Sequence, residues 1–168
     1  MSMTKLTGSS DSELAETDRY EASRIALRQK YLTVDAMEPV ATGGVDHLAL
    51  ICSDIEQTVR FYTEVLYMRL VKVVTNRDDP TSTHIFLDMG GGNLLAFFDF
   101  PEHGPAPAVR GIGAMHHVAL KVDSIQYRKI VKTLKERGLD HSVHGTDAAG
   151  SAYFRDPDGI LLEIKTLS

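Results

Sequence analysis

The sequence DHLAL, residues 46–50, returns 70 residues later as HHVAL, residues 116–120. Both copies lie in an alternating apolar run, which predicts a strand. Each run is followed by a helix-capping residue, Asp54 or Ser124, and then by an amphipathic segment with helical spacing. Two similar segments at a fixed offset of 70 residues indicate two copies of one structural unit.

Three β-rich segments follow the helix in each copy. In the first copy, residues 89–92 join the last two segments in a hairpin pattern. In the second copy, the turn sequence DPDG, residues 156–159, precedes the final strand. We therefore predict an α+β fold of two tandem βαβββ modules, residues about 44–100 and 115–168, whose curved sheets face one another around a metal-containing cleft.

A polar segment precedes the repeat. Residues 1–43 are predicted to form a polar tail and an N-terminal helix from Ser12 to about Tyr31. We expect this helix to pack on the outside of the domain or on a second subunit. Residues 44–168 are predicted to form a single domain.

Charge and cysteine content restrict the partners and the compartment. The 168-residue chain has a net charge of −5 and scattered basic residues, so neither nucleic acid nor an anionic membrane is expected as a partner. The single cysteine, Cys52, excludes an intrachain disulfide and fits a reduced, cytoplasmic setting. No apolar stretch approaches the roughly 20 residues that span a bilayer, and the N-terminal segment has no apolar signal core.

Three side chains in the repeat have the chemistry of metal ligands. His47 and His117 occupy equivalent positions, and Glu163 stands within the apolar run LLEI of the predicted last strand. Two imidazoles and one carboxylate, held on strands that border one cleft, form a facial ligand set with open positions. His116 is predicted by strand alternation to point to the opposite face and to have a structural or surface role. The pattern favours a metalloenzyme over a passive binding protein.

These motifs resemble the vicinal oxygen chelate superfamily. Its members include glyoxalases, fosfomycin-resistance transferases, methylmalonyl-CoA epimerases, bleomycin-binding proteins and type I extradiol ring-cleaving dioxygenases. The resemblance extends over residues 44–167, and its most specific parts are DHLAL, HVAL and YFRDPDGILLE, residues 153–163. It implies a divalent metal bound by His47, His117 and Glu163, and it implies a homodimer, since members of the superfamily are often dimers.

Within the superfamily, the residues are most similar to the type I extradiol dioxygenases. Glyoxalases and epimerases use a fourth ligand, but Ala96 occupies the position that mirrors Glu163 in the first unit. Bleomycin binders usually lack the ligand set. Fosfomycin transferases need a cationic cluster that includes an arginine just past the glutamate, where this chain offers Lys165. Two alternatives stay open: a glyoxalase-like lyase or isomerase, and a drug-binding resistance protein.

The resemblance to extradiol dioxygenases also implies roles for residues around the ligands. Tyr153 would donate a hydrogen bond to the substrate, and His144, steered by Asp147, would bind substrate or oppose charge build-up. A further acid–base histidine is expected, for which His103 and His84 are the candidates. We therefore expect an oxidoreductase that uses dioxygen and a catecholic or related small molecule. Fe(II) is the favoured metal, with Mn(II), Ni(II) or Zn(II) as alternatives.

Overall fold

The computed structural model describes residues 11–32, 41–104 and 106–166. It divides into two compact units, Met1–Gly43 and Gly44–Ser168. In the first unit, helix α1 covers Asp11–Tyr31, and residues 1–10 of the predicted tail lie outside the described residues. Within the described part of the chain, no helix has the length and apolar character needed to cross a membrane.

The second unit begins with a module of one helix and a four-stranded sheet, which we call sheet A. Its elements are β1 (His47–Cys52), α2 (Ile55–Glu64), β2 (Arg69–Thr75), β3 (Thr83–Gly90) and β4 (Asn93–Asp99). The strand order is β1-β4-β3-β2, with β1 parallel to β4 and the other pairs antiparallel. Helix α2 begins where the sequence predicts, because the Asp54 carboxylate accepts a hydrogen bond from the Gln57 amide at 2.7 Å.

The second module repeats this architecture in sheet B. Its elements are β5 (Val118–Val122), α3 (Ser124–Glu136), β6 (His141–Gly145), β7 (Gly150–Arg155) and β8 (Leu161–Thr166). The order β5-β8-β7-β6 is the same as in sheet A, and β5 again runs parallel to the last strand. The linker contains one 3₁₀ turn, Pro101–His103. The predicted α+β fold of two tandem βαβββ modules with an N-terminal helix is confirmed.

Two boundaries in the second module differ from the prediction. Strand β5 begins at Val118 rather than His116, because its partner β8 starts at Leu161 and the pairing begins with Val118 opposite Leu162. Helix α3 is capped by Asp123 rather than Ser124, since the Asp123 carboxylate accepts a hydrogen bond from the Gln126 amide at 2.7 Å. In both cases the boundary is set by a hydrogen-bonding partner that the local sequence pattern does not reveal.

One apolar core joins the two modules and orients the sheets. It contains buried side chains from α2, from α3 and from one face of each sheet. Burying one large apolar side chain contributes about 1.5–3 kcal/mol, so this core is a main source of stability. Because strand residues alternate between faces, the neighbours of the core residues lie on the opposite sides of the sheets. We call these sides outer face A and outer face B.

The DPDG turn before β8 attaches the second module to the first. Asp158 accepts hydrogen bonds from the Ser53 amide at 3.1 Å and from the Ser53 hydroxyl at 2.5 Å. The Tyr62 hydroxyl donates to the Asp156 carboxylate at 3.0 Å in a buried setting. Burial raises the pKa of Asp156 to about 6. These contacts fix the start of β8, the strand that carries Glu163.

Two glycines shape the hairpin loop between β6 and β7. A Cβ at Gly150 would lie 2.3 Å from the Thr146 carbonyl oxygen, and a Cβ at Gly145 would lie 2.4 Å from the Ala149 carbonyl oxygen. Gly145 also has a φ of +80°, in the region that favours glycine. The loop therefore closes only with glycine at both positions, which sets the ends of the two strands beside outer face B.

Candidate metal centre

His117 and Glu163 converge on outer face B. The His117 Nε2 atom lies 3.0 Å from Glu163 Oε2, and the Glu163 side chain is only 7% exposed. Glu163 is held on β8 between Leu162 and Ile164, which both belong to the core. His117 immediately precedes β5, which pairs with β8. The parallel pairing of these strands therefore brings the two side chains together.

The Glu163 carboxylate is oriented by two hydroxyl groups from β7. The Ser151 hydroxyl donates to Glu163 Oε1 at 2.6 Å, and Tyr153 is directly opposite Glu163 in the strand register. Burial raises the pKa of Glu163, but the hydrogen bonds from Ser151 and Tyr153 and the nearby His117 hold the net value below its ordinary level. The same hydrogen bond to Glu163 raises the pKa of Tyr153. The carboxylate is therefore favoured in its charged, metal-binding form.

Of the other predicted site residues on this module, one lies near the ligand pair and one does not. The His144 ring lies 5.7 Å from the Tyr153 ring, centroid to centroid, in an edge-on arrangement. Asp147 was predicted to steer His144, but it forms an ion pair with Arg128 of α3, with 3.7 Å between Nη1 and Oδ2. Both members of that pair are more than half exposed. Arg128 therefore contacts the Asp147 carboxylate. Among the described contacts, none joins Asp147 to His144.

His47 lies on outer face A, apart from the His117–Glu163 pair. Its neighbours Leu48 and Leu50 pack against the core, so alternation places His47 on the other side of β1. Its Nδ1 atom is 2.6 Å from the Asp46 carboxylate, and its side chain is 43% exposed. Within residues 11–32, 41–104 and 106–166, no group of three His, Cys, Asp or Glu side chains is arranged to hold a metal ion. Among the described residues, His47 therefore does not converge with His117 and Glu163 within one chain.

Strand pairing shows which residues of the two modules are equivalent. Ala119 of β5 is opposite Glu163, which is opposite Tyr153. In sheet A, Ala49 of β1 is opposite Ala96, which is opposite Phe86. Sheet A therefore has Ala96 where sheet B has a ligand, as the sequence alignment of the two units predicted. Phe86 correspondingly takes the place of Tyr153.

Outer face A is aromatic around His47. The Phe86 ring lies 5.8 Å from the His47 ring, centroid to centroid. The His84 ring is stacked on Phe98 at 3.7 Å and is tilted against Phe86 at 4.1 Å. The His84 Nε2 atom is buried without a hydrogen-bond partner, and burial together with His47 and Lys72 lowers the pKa of His84.

His103, the other candidate acid–base residue, belongs to the same side of the molecule. It stacks on Phe100 at 4.8 Å, and Phe100 in turn lies 5.7 Å from Phe98. The structure therefore connects His103 and His84 through a row of rings that leads to His47. Neither histidine has a described contact with the His117–Glu163 pair.

Sequence reasoning missed three contacts of the ligand residues. His116 contacts His117 rather than the opposite face, with 2.7 Å between the two Nδ1 atoms, because both residues precede β5 and strand alternation does not apply to them. Asp46 contacts His47, and Ser151 contacts Glu163. Asp46 and His116 could have been found from their repeat positions, since each directly precedes a candidate ligand.

The chain is similar to known proteins over most of its length. The family model for the Glyoxalase/Bleomycin resistance protein/Dioxygenase superfamily matches residues 44–164. A curated relative, "Putative ring-cleaving dioxygenase MhqE" of Bacillus subtilis, is 31% identical over 101 residues, which are 58% of this chain and 33% of that protein. The chain thus spans about a third of that relative's length.

Solved structures show the same fold. The glyoxylase/bleomycin resistance protein/dioxygenase domain from Frankia sp. EAN1pec aligns with a TM-score of 0.67 at 20% identity, covering 76% of this chain and 100% of that chain. A variant of the fosfomycin resistance protein FosX from Listeria monocytogenes, complexed with Mn(II) and a dihydroxypropylphosphonic acid, aligns with a TM-score of 0.59 at 19% identity. That alignment covers 76% of this chain and 94% of the FosX chain.

Proposed function

Because the chain belongs to the glyoxalase/bleomycin resistance protein/dioxygenase superfamily, we propose that it is a divalent-metal-dependent dioxygenase that cleaves the ring of a catecholic or related small molecule. The observation that carries this proposal is the His117–Glu163 pair, whose donor atoms lie 3.0 Å apart on outer face B. A relative named as a ring-cleaving dioxygenase and a FosX structure that contains Mn(II) support a metal-dependent role. Fe(II) is our preferred metal, since imidazole and carboxylate donors suit it.

The third ligand in this proposal is His47 from a second copy of the chain. His117 and Glu163 form a two-donor half-site, and His47 stands on the other outer face. A twofold dimer in which outer face A of one protomer covers outer face B of the other would bring the three donors together. Two large apolar side chains on outer face A are substantially exposed in the single chain: Ile51 of β1, next to the core-facing Leu50, and Val74 of β2, opposite His84. Their exposure is consistent with a surface that a second copy covers.

The residues present fit a metal with two histidine ligands and one carboxylate. Glu163 is buried and oriented by Ser151, which leaves Oε2 toward His117. Bound there, Fe(II) would supply open positions for dioxygen and for the adjacent oxygens of the substrate, and it would favour the deprotonated substrate. Ala96 supplies no fourth protein ligand, which favours this chemistry over that of the four-ligand glyoxalases.

The chain's own side chains then have distinct tasks. The Tyr153 hydroxyl, which donates to Glu163 here, would turn to a substrate oxygen once the carboxylate holds a metal. His144 lies at the edge of the Tyr153 ring, where it would contact the substrate or oppose charge. Phe86 and Phe98 of the facing protomer offer an apolar wall for a planar ring and exclude water. A histidine positioned like His144 typically contributes about 10²–10⁴-fold to the rate when it transfers a proton.

The test is oxygen consumption after anaerobic reconstitution with Fe(II). We expect a catechol from a substrate panel to cause oxygen uptake and to give a yellow ring-opened product. Glu163→Ala and His117→Ala should abolish both signals. His141→Ala is the matched control, because His141 bonds the Leu139 carbonyl through Nδ1 and contacts neither ligand.

Other outcomes separate the alternatives. One tightly bound metal per chain without oxygen uptake would overturn the dioxygenase proposal. Turnover of a hemithioacetal with Ni(II) or Zn(II) would then identify a glyoxalase-like lyase or isomerase. Failure to bind a metal, combined with tight binding of a drug-like molecule, would identify a resistance protein that only binds its ligand.

A further inference from the structure

We propose that the residue before each histidine ligand is a positioning residue that holds the imidazole through Nδ1 and directs Nε2 toward the metal site. These residues are Asp46 in the first module and His116 in the second. The inference rests on the proposed function, because it concerns the same ligands. It extends that function by explaining how each ligand is prepared before a metal arrives.

In the first module, the Asp46 carboxylate determines the tautomer of His47. Asp46 Oδ1 lies 2.6 Å from His47 Nδ1, which is hydrogen-bond distance. An ionised carboxylate only accepts hydrogen bonds, so Nδ1 of His47 must carry the proton. A neutral imidazole carries one ring proton, and Nε2 of His47 therefore presents its lone pair.

In the second module, His116 holds His117 through Nδ1 with a different group, an imidazole. The two Nδ1 atoms are 2.7 Å apart, so one proton lies between them. The Nε2 atom of His117 is directed toward Glu163 Oε2 at 3.0 Å, where both can face a common cation. Without a metal, the ionised Glu163 carboxylate only accepts hydrogen bonds, so His117 carries its proton on Nε2 and His116 donates to His117 Nδ1. A metal on Nε2 would require the reverse arrangement, in which His117 Nδ1 donates to His116.

The repeat makes this assignment more than a chance contact. Positions 46 and 116 are separated by the same 70 residues as the two histidine ligands. The two modules thus use one device, a side chain on the preceding residue that bonds Nδ1, with a carboxylate in one copy and an imidazole in the other. Metal-ligating histidines commonly donate their second N–H to such a partner, and losing the partner typically lowers metal affinity about 10–100-fold.

The first experiment reads the ring protons of the metal-free protein by ¹⁵N NMR of the histidine side chains. We expect His47 to carry the proton on Nδ1, His117 to carry it on Nε2 facing Glu163, and His116 to carry it on Nδ1. His141 provides an internal reference, because its Nδ1 lies 2.8 Å from the Leu139 carbonyl oxygen, which can only accept. A neutral His47 with its proton on Nε2, or a neutral His116 with its proton on Nε2, would overturn the assignment whether or not the protein binds a metal.

The second experiment measures Zn(II) affinity by competition with a chelating dye. We expect His116→Ala to weaken binding about 10–100-fold and His116→Asp, which copies the Asp46 arrangement, to stay within a few-fold of wild type. His141→Ala should bind like wild type. Equal affinity of wild type and His116→Ala would refute the positioning role. Wild-type protein that binds neither Zn(II) nor Fe(II) would instead count against the proposed function, and the NMR result would still decide the inference.

Discussion

Complementation between two inactive variants tests whether the metal centre is shared between protomers. His47→Ala removes the ligand on outer face A, and Glu163→Ala removes a ligand on outer face B. In the proposed dimer, each site takes His47 from one protomer and the His117–Glu163 pair, 3.0 Å apart, from the other. A mixed dimer of the two variants therefore contains one intact site and one site that lacks both ligands.

The expected recovery follows from the twofold arrangement. Random pairing makes about half of the dimers mixed, and one of the two sites in each is intact, so the mixture regains about a quarter of the wild-type sites. The matched control mixes His117→Ala with Glu163→Ala. These two ligands lie on the same outer face, so every mixed dimer lacks an intact site and no recovery is expected.

The assay needs no knowledge of the substrate. Differently tagged variants are co-expressed or refolded together, and tightly bound Fe(II) or Mn(II) per chain is measured, with oxygen uptake added once a substrate is known. Recovery in the first mixture and none in the control supports a shared centre. Recovery in neither mixture, or a wild-type protein that is monomeric while it binds one metal per chain, would refute the composite site.

Three further predictions concern stability and reactivity. Because burial raises the pKa of Asp156 from 3.8 to about 6, folding favours its protonated form. In urea titrations, the free energy of unfolding should fall by about 2.4 kcal/mol from pH 4 to pH 7, relative to Asp156→Asn. A wild-type minus variant difference that is constant with pH would contradict this. Gly150→Ala, whose Cβ would meet a carbonyl oxygen at 2.3 Å, should destabilise by about 1–3 kcal/mol in the same titration, while Gly111→Ala, with open space around it, should be close to neutral. Cys52 is 4% exposed, and burial raises the pKa of its thiol to about 11. A thiol reagent at pH 8 should therefore react slowly with the native protein and quickly with the protein unfolded in urea. Fast labelling of the native protein would contradict this, because it would show that Cys52 is accessible.

The order of elements was predictable because its signals are local. The apolar alternation around His47 and the cap at Asp54 lie within a few residues of the elements they determine. The position of Ala96 opposite Glu163 in the repeat was also predictable, since it depends only on the offset between two similar units. The start of β5 at Val118 was not, because it depends on where the distant strand β8 begins to pair.

The arrangement of the ligands could not be predicted from spacing alone. Equivalent repeat positions place His47 and His117 on matching strands, but they do not say whether the matching faces of the two sheets meet within one chain. The shared core determines whether those faces meet within one chain. That core is built partly from side chains of α2 and α3 that pack across the modules. The contact between Asp147 and Arg128 was also not predictable, because Arg128 lies on a helix that the motif around His144 does not include.

Phe86 occupies the register position of Tyr153, and Ala96 occupies that of Glu163. This equivalence indicates how the duplicated unit can change in evolution. One copy has polar groups at these positions, and the other has small or aromatic side chains at the equivalent register positions. Changes in the first copy can therefore reshape the recognition of a ligand while the acidic and hydroxyl groups of the second stay as they are. A mutant library restricted to positions 86, 96 and 98 would be an efficient starting point for changing the substrate specificity.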